Sequence, residues 1–119
     1  MNRRLQKFLF MKFPIFLSHL DYPGNIECDN GWYKIIKEVC IVGEHYDSIH
    51  SNKVVACYIG EKFGILFMYT DRSITSIDET IEKATIESLH TCSHCGESGE
   101  LRDLGTWRKT LCNKCLKRR

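Results

Sequence analysis

The residues best placed to do chemistry are Cys92, Cys95, Cys112 and Cys115, in the strings Cys92-Ser93-His94-Cys95 and Cys112-Asn113-Lys114-Cys115. Sixteen residues separate the two pairs, which is the spacing of a four-cysteine zinc site. Two residues between paired thiolates let a tight knuckle aim both sulfurs at one ion. Four thiolates close a tetrahedral shell with no open position for water or substrate, so the pattern points to one structural Zn2+. Gly96, directly after the first pair, suits a knuckle whose backbone needs positive φ. Two disulfides or four unrelated thiols are the plainer alternatives, and the spacing favours the metal. His90 and His94 flank the ligands, but four cysteines leave them no place in the shell.

The elements that must hold these knuckles can be read on either side. Ser76-Ile77-Asp78-Glu79 reads as a capping box starting a helix that ends near Leu89-His90, just before the first knuckle. Ile77, Ile81 and Ala84 form its apolar stripe. Between the knuckles, Glu100 to Leu104 and Thr106 to Leu111 read as a short hairpin turning at Gly105, with Trp107 as its apolar plate. Residues 91–119 are therefore expected to form a zinc ribbon whose fold depends on the metal. Residues 1–90 are expected to form the core domain.

In that core, Leu5, Phe8 and Leu9 mark an amphipathic first helix stopped by Pro14, and residues 13–17 are apolar enough to dock on the core. Asp21-Tyr22-Pro23-Gly24-Asn25 reads as a turn, and Asp29 or Asn30 as the cap of the next helix. Trp32, Ile35, Ile36, Val39 and Cys40 share one helical face, and Gly43 sits where a left-handed C-cap would end it. Val54 to Ile59 and Gly64 to Thr70 read as an antiparallel hairpin joined by Gly60-Glu61-Lys62-Phe63. The fold class is α+β: a small antiparallel hairpin or sheet packed with two to three helices, plus a C-terminal four-cysteine ribbon.

Composition narrows the function classes. The chain has 119 residues, 43% hydrophobic and 27% charged, as in an ordinary globular protein. No apolar run is long enough to span a bilayer. The basic, apolar start lacks a small-x-small cleavage site after Phe13-Pro14, so we expect a folded segment of a cytoplasmic protein and no membrane association. The three cysteines outside the zinc pattern, Cys28, Cys40 and Cys57, suit a reducing compartment, and Cys40 and Cys57 read as inert core thiols. Residues 100–119 carry seven Lys/Arg against two acidic residues, a net of +5, whereas residues 1–99 are net −3. A zinc tetrathiolate removes about two more positive charges. The loaded protein is then close to neutral, a poor footprint for general nucleic-acid binding.

Three strings together carry a resemblance: Gly31-Trp32-Tyr33-Lys34-Ile35-Ile36; Gly60-Glu61-Lys62-Phe63-Gly64-Ile65-Leu66-Phe67-Met68-Tyr69; and Cys92-Ser93-His94-Cys95-Gly96 with Thr110-Leu111-Cys112-Asn113-Lys114-Cys115. The chain resembles a family of small bacterial and phage-encoded zinc-ribbon proteins over roughly residues 10–116. It departs from that pattern at Ile59-Gly60, where a Lys or similar residue precedes the Glu, and at Ile65. The family has no assigned activity, so the resemblance implies the fold and the zinc. At the level of class, its small accessory proteins are similar to immunity proteins and phage-encoded inhibitors.

Three functions compete. The first is a non-enzymatic protein binder, of the immunity-protein or counter-defence type, that inhibits or adapts a protein partner as a monomer or homodimer. Its candidate contact residues are Leu66, Met68, Tyr69, Trp107, Arg108 and Lys109, with Ile65, Phe67 and Tyr69 as the opposite strand face. The second is a nucleic-acid binder using Arg102, Lys114, Lys117, Arg118 and Arg119, with Trp107, Arg108 and Lys109 beside them; the bland account of these residues is a solvated basic tail plus one core tryptophan. The third is an enzyme, for which His45, Asp47, His50, Glu61 and Lys62 are available. A polar loop around His45-Asp47-His50 is the simpler account, and we expect no catalytic residues.

Overall fold

The computed structural model describes residues 1–21 and 25–118. Tyr22, Pro23 and Gly24 of the expected turn, and Arg119 of the basic tail, lie outside the described residues. The chain is an α+β protein, and no helix among the described residues is long and apolar enough to cross a membrane.

Helix α1 (Arg3–Lys12) starts at Asn2, whose Oδ1 accepts the Leu5 N–H at 2.9 Å. It stops before Pro14, as the clash of a proline ring with the preceding residue requires. Leu9 and Gln6 are its buried positions, while Phe8 faces out. The next turns bury Phe13, Phe16, Leu17 and Leu20. Their backbone is held by Glu44, whose Oε1 accepts the N–H groups of Ile15 and Phe16 at 3.1 and 2.9 Å.

Asp29 caps the single turn Asn30–Trp32 that leads into α2 (Tyr33–Ile49). The expected stripe is buried, and Trp32 is fully enclosed, with its Nε1 donating to Thr91 O at 2.9 Å. The helix does not end at Gly43. It runs two more turns, because Gly43 lies inside the stripe where a Cβ would come within 2.3 Å of the Phe16 ring. The polar stretch from Glu44 is thus largely helix. Its Asp47 is buried, and Oδ1 accepts the Val54 N–H at 2.7 Å.

A mixed three-stranded sheet has the order β1-β2-β3, with β1 (Ile26–Glu27) parallel to β2 (Ala56–Lys62) and β3 (Ile65–Thr70) antiparallel to β2. The two-residue β1 was not anticipated. The hairpin connection is Phe63-Gly64, two residues rather than four, with both residues at positive φ. One sheet face, Ala56, Ile59, Leu66 and Met68, is buried in the main core with α2 and α3. Cys57 is exposed, contrary to expectation, because a register irregularity between Ala56 and Tyr58 turns it away from the core.

Helix α3 (Thr75–Ser88) begins earlier than the capping box implied. Ser76 lies inside the first turn, and Ser73 instead donates its hydroxyl to Asp78. Ile77 and Ala84 are buried, with Ile81 packed beside them. At the far end, Ser88 Oγ accepts the Leu66 N–H at 3.1 Å and so caps a backbone donor of β3. The chain continues through β4 (Glu100–Asp103), β5 (Arg108–Leu111) and α4 (Asn113–Arg118), the first two forming an antiparallel hairpin.

Candidate metal centre

The first knuckle closes through Gly96 N–H to Cys92 O at 2.9 Å, with Gly96 at φ 85°. The second places Cys112 just before α4 and Cys115 within it, where the Cys115 N–H points at Cys112 Sγ from 3.3 Å. The four sulfurs lie within 4.8 Å of one another and could hold a metal ion. Cys95 and Cys112 Sγ are 3.7 Å apart. That is the edge of a tetrahedron with metal–sulfur bonds of about 2.3 Å, and it is far beyond the roughly 2.05 Å of a disulfide. All seven cysteines are unbridged. Burial pushes the Cys92 thiol up, but amide hydrogen bonds from Cys112, Cys95 and His94 outweigh it and bring Cys92 down to about 6. Cys115 is pushed up to about 12 by burial and by the sulfurs around it. A metal replaces the protons that such a cluster otherwise shares.

The centre is built against the core. Gly31 N–H donates to Ser93 O at 2.8 Å, and a Cβ on Gly31 would lie 2.1 Å from Cys92 O. Only glycine lets the start of α2 approach the knuckle this closely. Thr110, buried, donates its hydroxyl to Gly64 O at 2.8 Å and ties the ribbon to the tip of the β2–β3 hairpin. Leu111 is buried beside Cys92 and Cys115, with Trp107 and Leu116 packed around them. His94 is not part of the cluster; its Nδ1 lies 2.7 Å from Asp29 Oδ2. Burial raises the Asp29 carboxyl, but the hydrogen bonds from His94 and the Asn30 amide hold it below its ordinary range.

The other candidates scatter. Leu66 and Met68 point into the core, Leu66 at 1% exposure, so they cannot meet a partner; the pleat sends Phe67 and Tyr69 outward instead. These two join Tyr58 in a cluster with ring centroids 5.8–6.0 Å apart, and Lys62 Nζ lies over the Tyr58 and Phe67 rings at 5.1 and 4.7 Å. Arg102 clamps its own ribbon: Nε donates to Leu111 O, Nη2 to Asn113 Oδ1, and Nη1 faces Glu100. Arg108 pairs with Asp103, and Lys109 lies 3.8 Å from Glu61. Lys114, Lys117 and Arg118 are exposed on α4. His45 is exposed, Asp47 is buried and His50 stacks on Tyr46, so the three do not form a metal-holding group among the described residues.

Sequence reasoning missed Tyr58 and the Asp29–His94 pair. Tyr58 was legible in principle as the cross-strand neighbour of Tyr69, once a two-residue turn fixes the register. The pair joins residues 65 apart in sequence, and no local pattern signals it. No family model matches the chain, and no curated protein or solved structure matches it.

Proposed function

We propose that this chain is a non-catalytic zinc-ribbon protein that binds a protein partner and thereby inhibits or adapts it. Zinc is the metal that four thiolates at tetrahedral spacing suit, and such a closed shell serves structure. The observation that carries the partner reading is the outer sheet face. Phe67 and Tyr69 are 42% and 49% exposed beside Tyr58, on the side of the sheet turned away from α2 and α3. Aromatic anchors of this kind are what protein interfaces concentrate. Glu27, exposed on β1 next to β2 at the edge of this face, carries a carboxylate that would repel phosphate. The ribbon cations Arg102, Arg108 and Lys109 each have an acidic neighbour within the chain. Both points favour protein over nucleic acid.

The test is photo-crosslinking in the native cells with benzoylphenylalanine in place of Tyr69, followed by reconstitution with the identified, purified target. A one-to-one protein complex whose affinity changes little between about 50 and 200 mM salt supports the reading. A nuclease-sensitive adduct, or binding that falls by orders of magnitude over that range, overturns it in favour of nucleic acid.

A further inference from the structure

Phe63 occupies a position that the fold argues against. It is at φ 56° beside Gly64 at φ 84°, and two consecutive positive φ angles in a two-residue hairpin define a turn that strongly prefers Asn-Gly. A bulky side chain there is a backbone outlier. The residue is 78% exposed, so burial within the chain does not offset the strain. The neighbouring glycine has a clear structural duty. Its carbonyl accepts the Thr110 hydroxyl, and its missing side chain leaves room for Leu101 and the Arg108 backbone. Phe63 has no such duty. Observed strain without structural return is grounds for assigning a function.

We infer that Phe63 is the central anchor of the protein interface proposed above, inserted into an apolar pocket of the partner whose rim carries carboxylates. The inference rests on the protein-binding reading and adds the partner's surface chemistry. The pocket is apolar because the tip offers a whole phenyl ring, with Leu101, 39% exposed, against the same turn. The rim is acidic because Lys62, next to Phe63 in sequence, has no ion-pair partner among the described residues and holds its ammonium over the Tyr58 and Phe67 rings, whereas Arg108 beneath Gly64 is already paired with Asp103 and Glu61 with Lys109. The outer-face rings continue the contact along β2 and β3.

The experiment compares the zinc-loaded wild type with Phe63→Asn, Phe63→Gly and Lys62→Glu. Benzoylphenylalanine replaces Phe63, Tyr69 or, as a control, Ile86, which is exposed on α3. The expected result is an adduct with one protein from positions 63 and 69 and none from 86. With that protein purified, Phe63→Asn and Phe63→Gly weaken binding about 30-fold or more, as for an interface hot spot, and Lys62→Glu weakens it about tenfold. Phe63→Asn also keeps or raises the thermal midpoint, by about 3 °C. A midpoint lowered by that much shows a structural ring and overturns the inference, as does unchanged affinity in both Phe63 variants. Unchanged affinity in Lys62→Glu removes the acidic rim. An adduct at 69 but not at 63 sinks the anchor and leaves the protein-binding reading standing. No adduct at either position overturns both. An adduct with a second copy of this chain, or with nucleic acid, replaces the acidic-rimmed partner.

Discussion

Among the described residues, two antiparallel hairpins turn on a positive-φ glycine, Gly64 and Gly105, and they are stabilised by different means. The β2–β3 hairpin lays Ile59, Leu66 and Met68 against α2 and α3, in a core that also takes in Trp32, Phe16 and Ile77. Its stability comes from removing apolar surface from water. The β4–β5 hairpin buries little beyond Thr110 and Leu111, and its remaining buried partners are two of the cysteines. A unit of that size cannot offset its chain entropy by burial and needs a staple. The cysteines divide the same way. Cys28 and Cys40 are buried in the core, where loss of hydration pushes their thiols up, Cys28 to about 12. In the ribbon the same residue type converges, and the amides around Cys92 favour the thiolate. One residue type is a small hydrophobe in one region and part of a cluster that could hold a metal in the other.

Metal removal is the sharpest way to break this comparison. Chelation, or Cys112→Ser, is expected to cost the ribbon on the order of 10 kcal/mol, the scale at which a structural zinc site and its fold form together. Hydrogen exchange should then show lost protection from Leu101 to Leu111 while Ile59 and Met68 stay protected. Equal loss in both hairpins would mean one cooperative unit. Leu66→Ala is the mirror experiment. It empties a core position and should cost about 2–5 kcal/mol, read in denaturant titration, while zinc stoichiometry by elemental analysis stays at one per chain.

Alkaline pH acts on the core thiols. Burial holds the Cys28 and Cys40 thiols of the folded chain above the ordinary thiol range. The unfolded chain therefore loses these protons first, and stability that is complete below about 9 declines as the pH climbs toward the folded value. The expected slope is up to about 1.4 kcal/mol per pH unit for each thiol. Ribbon thiolates held by metal have no proton left to lose, so the ribbon should not share the decline. Denaturant titrations at pH 8 and about pH 10, on wild type and Cys40→Ala, check it: the variant should show the shallower dependence.

How much of this was legible in the sequence follows from the range of the forces. The four-cysteine cluster, both hairpins and the buried stripes of α2 and α3 are written in local spacing, so the cysteine pattern and helical periodicity found them. The length of α2 was not, because Gly43 looks like a helix end until the Phe16 ring that fills its space is known. The inner and outer faces of β3 were likewise ambiguous. Its run Ile65-Leu66-Phe67-Met68-Tyr69 is apolar at every position, and only the packing of α2 and α3 decides that Leu66 and Met68 go inside. The strand Ile26–Glu27 is too short to leave a period. The carboxylate of Glu44 on the backbone of residues 15 and 16 is a long-range polar contact with no local signature.

The smallest expected effect separates the two turns. Gly105 has φ 87° and nothing within 4 Å of where a Cβ would stand. Gly105→Ala should therefore cost only the left-handed backbone penalty, about 1 kcal/mol. Gly64, at φ 84°, carries the same penalty, but its added Cβ would meet Leu101 Cδ1 at 2.7 Å and the Arg108 backbone at 3.1 Å. Leu101 is partly exposed and can swing aside, whereas the Arg108 backbone is fixed in β5. Gly64→Ala should then exceed Gly105→Ala and should also weaken protection at the Thr110 amide, since the ribbon must move off the hairpin tip. Equal destabilisation by the two substitutions in denaturant titration, with Thr110 exchange unchanged, would show that the tip of β2–β3 does not bear on the ribbon. The Thr110–Gly64 hydrogen bond would then be incidental to how the two hairpins are held together.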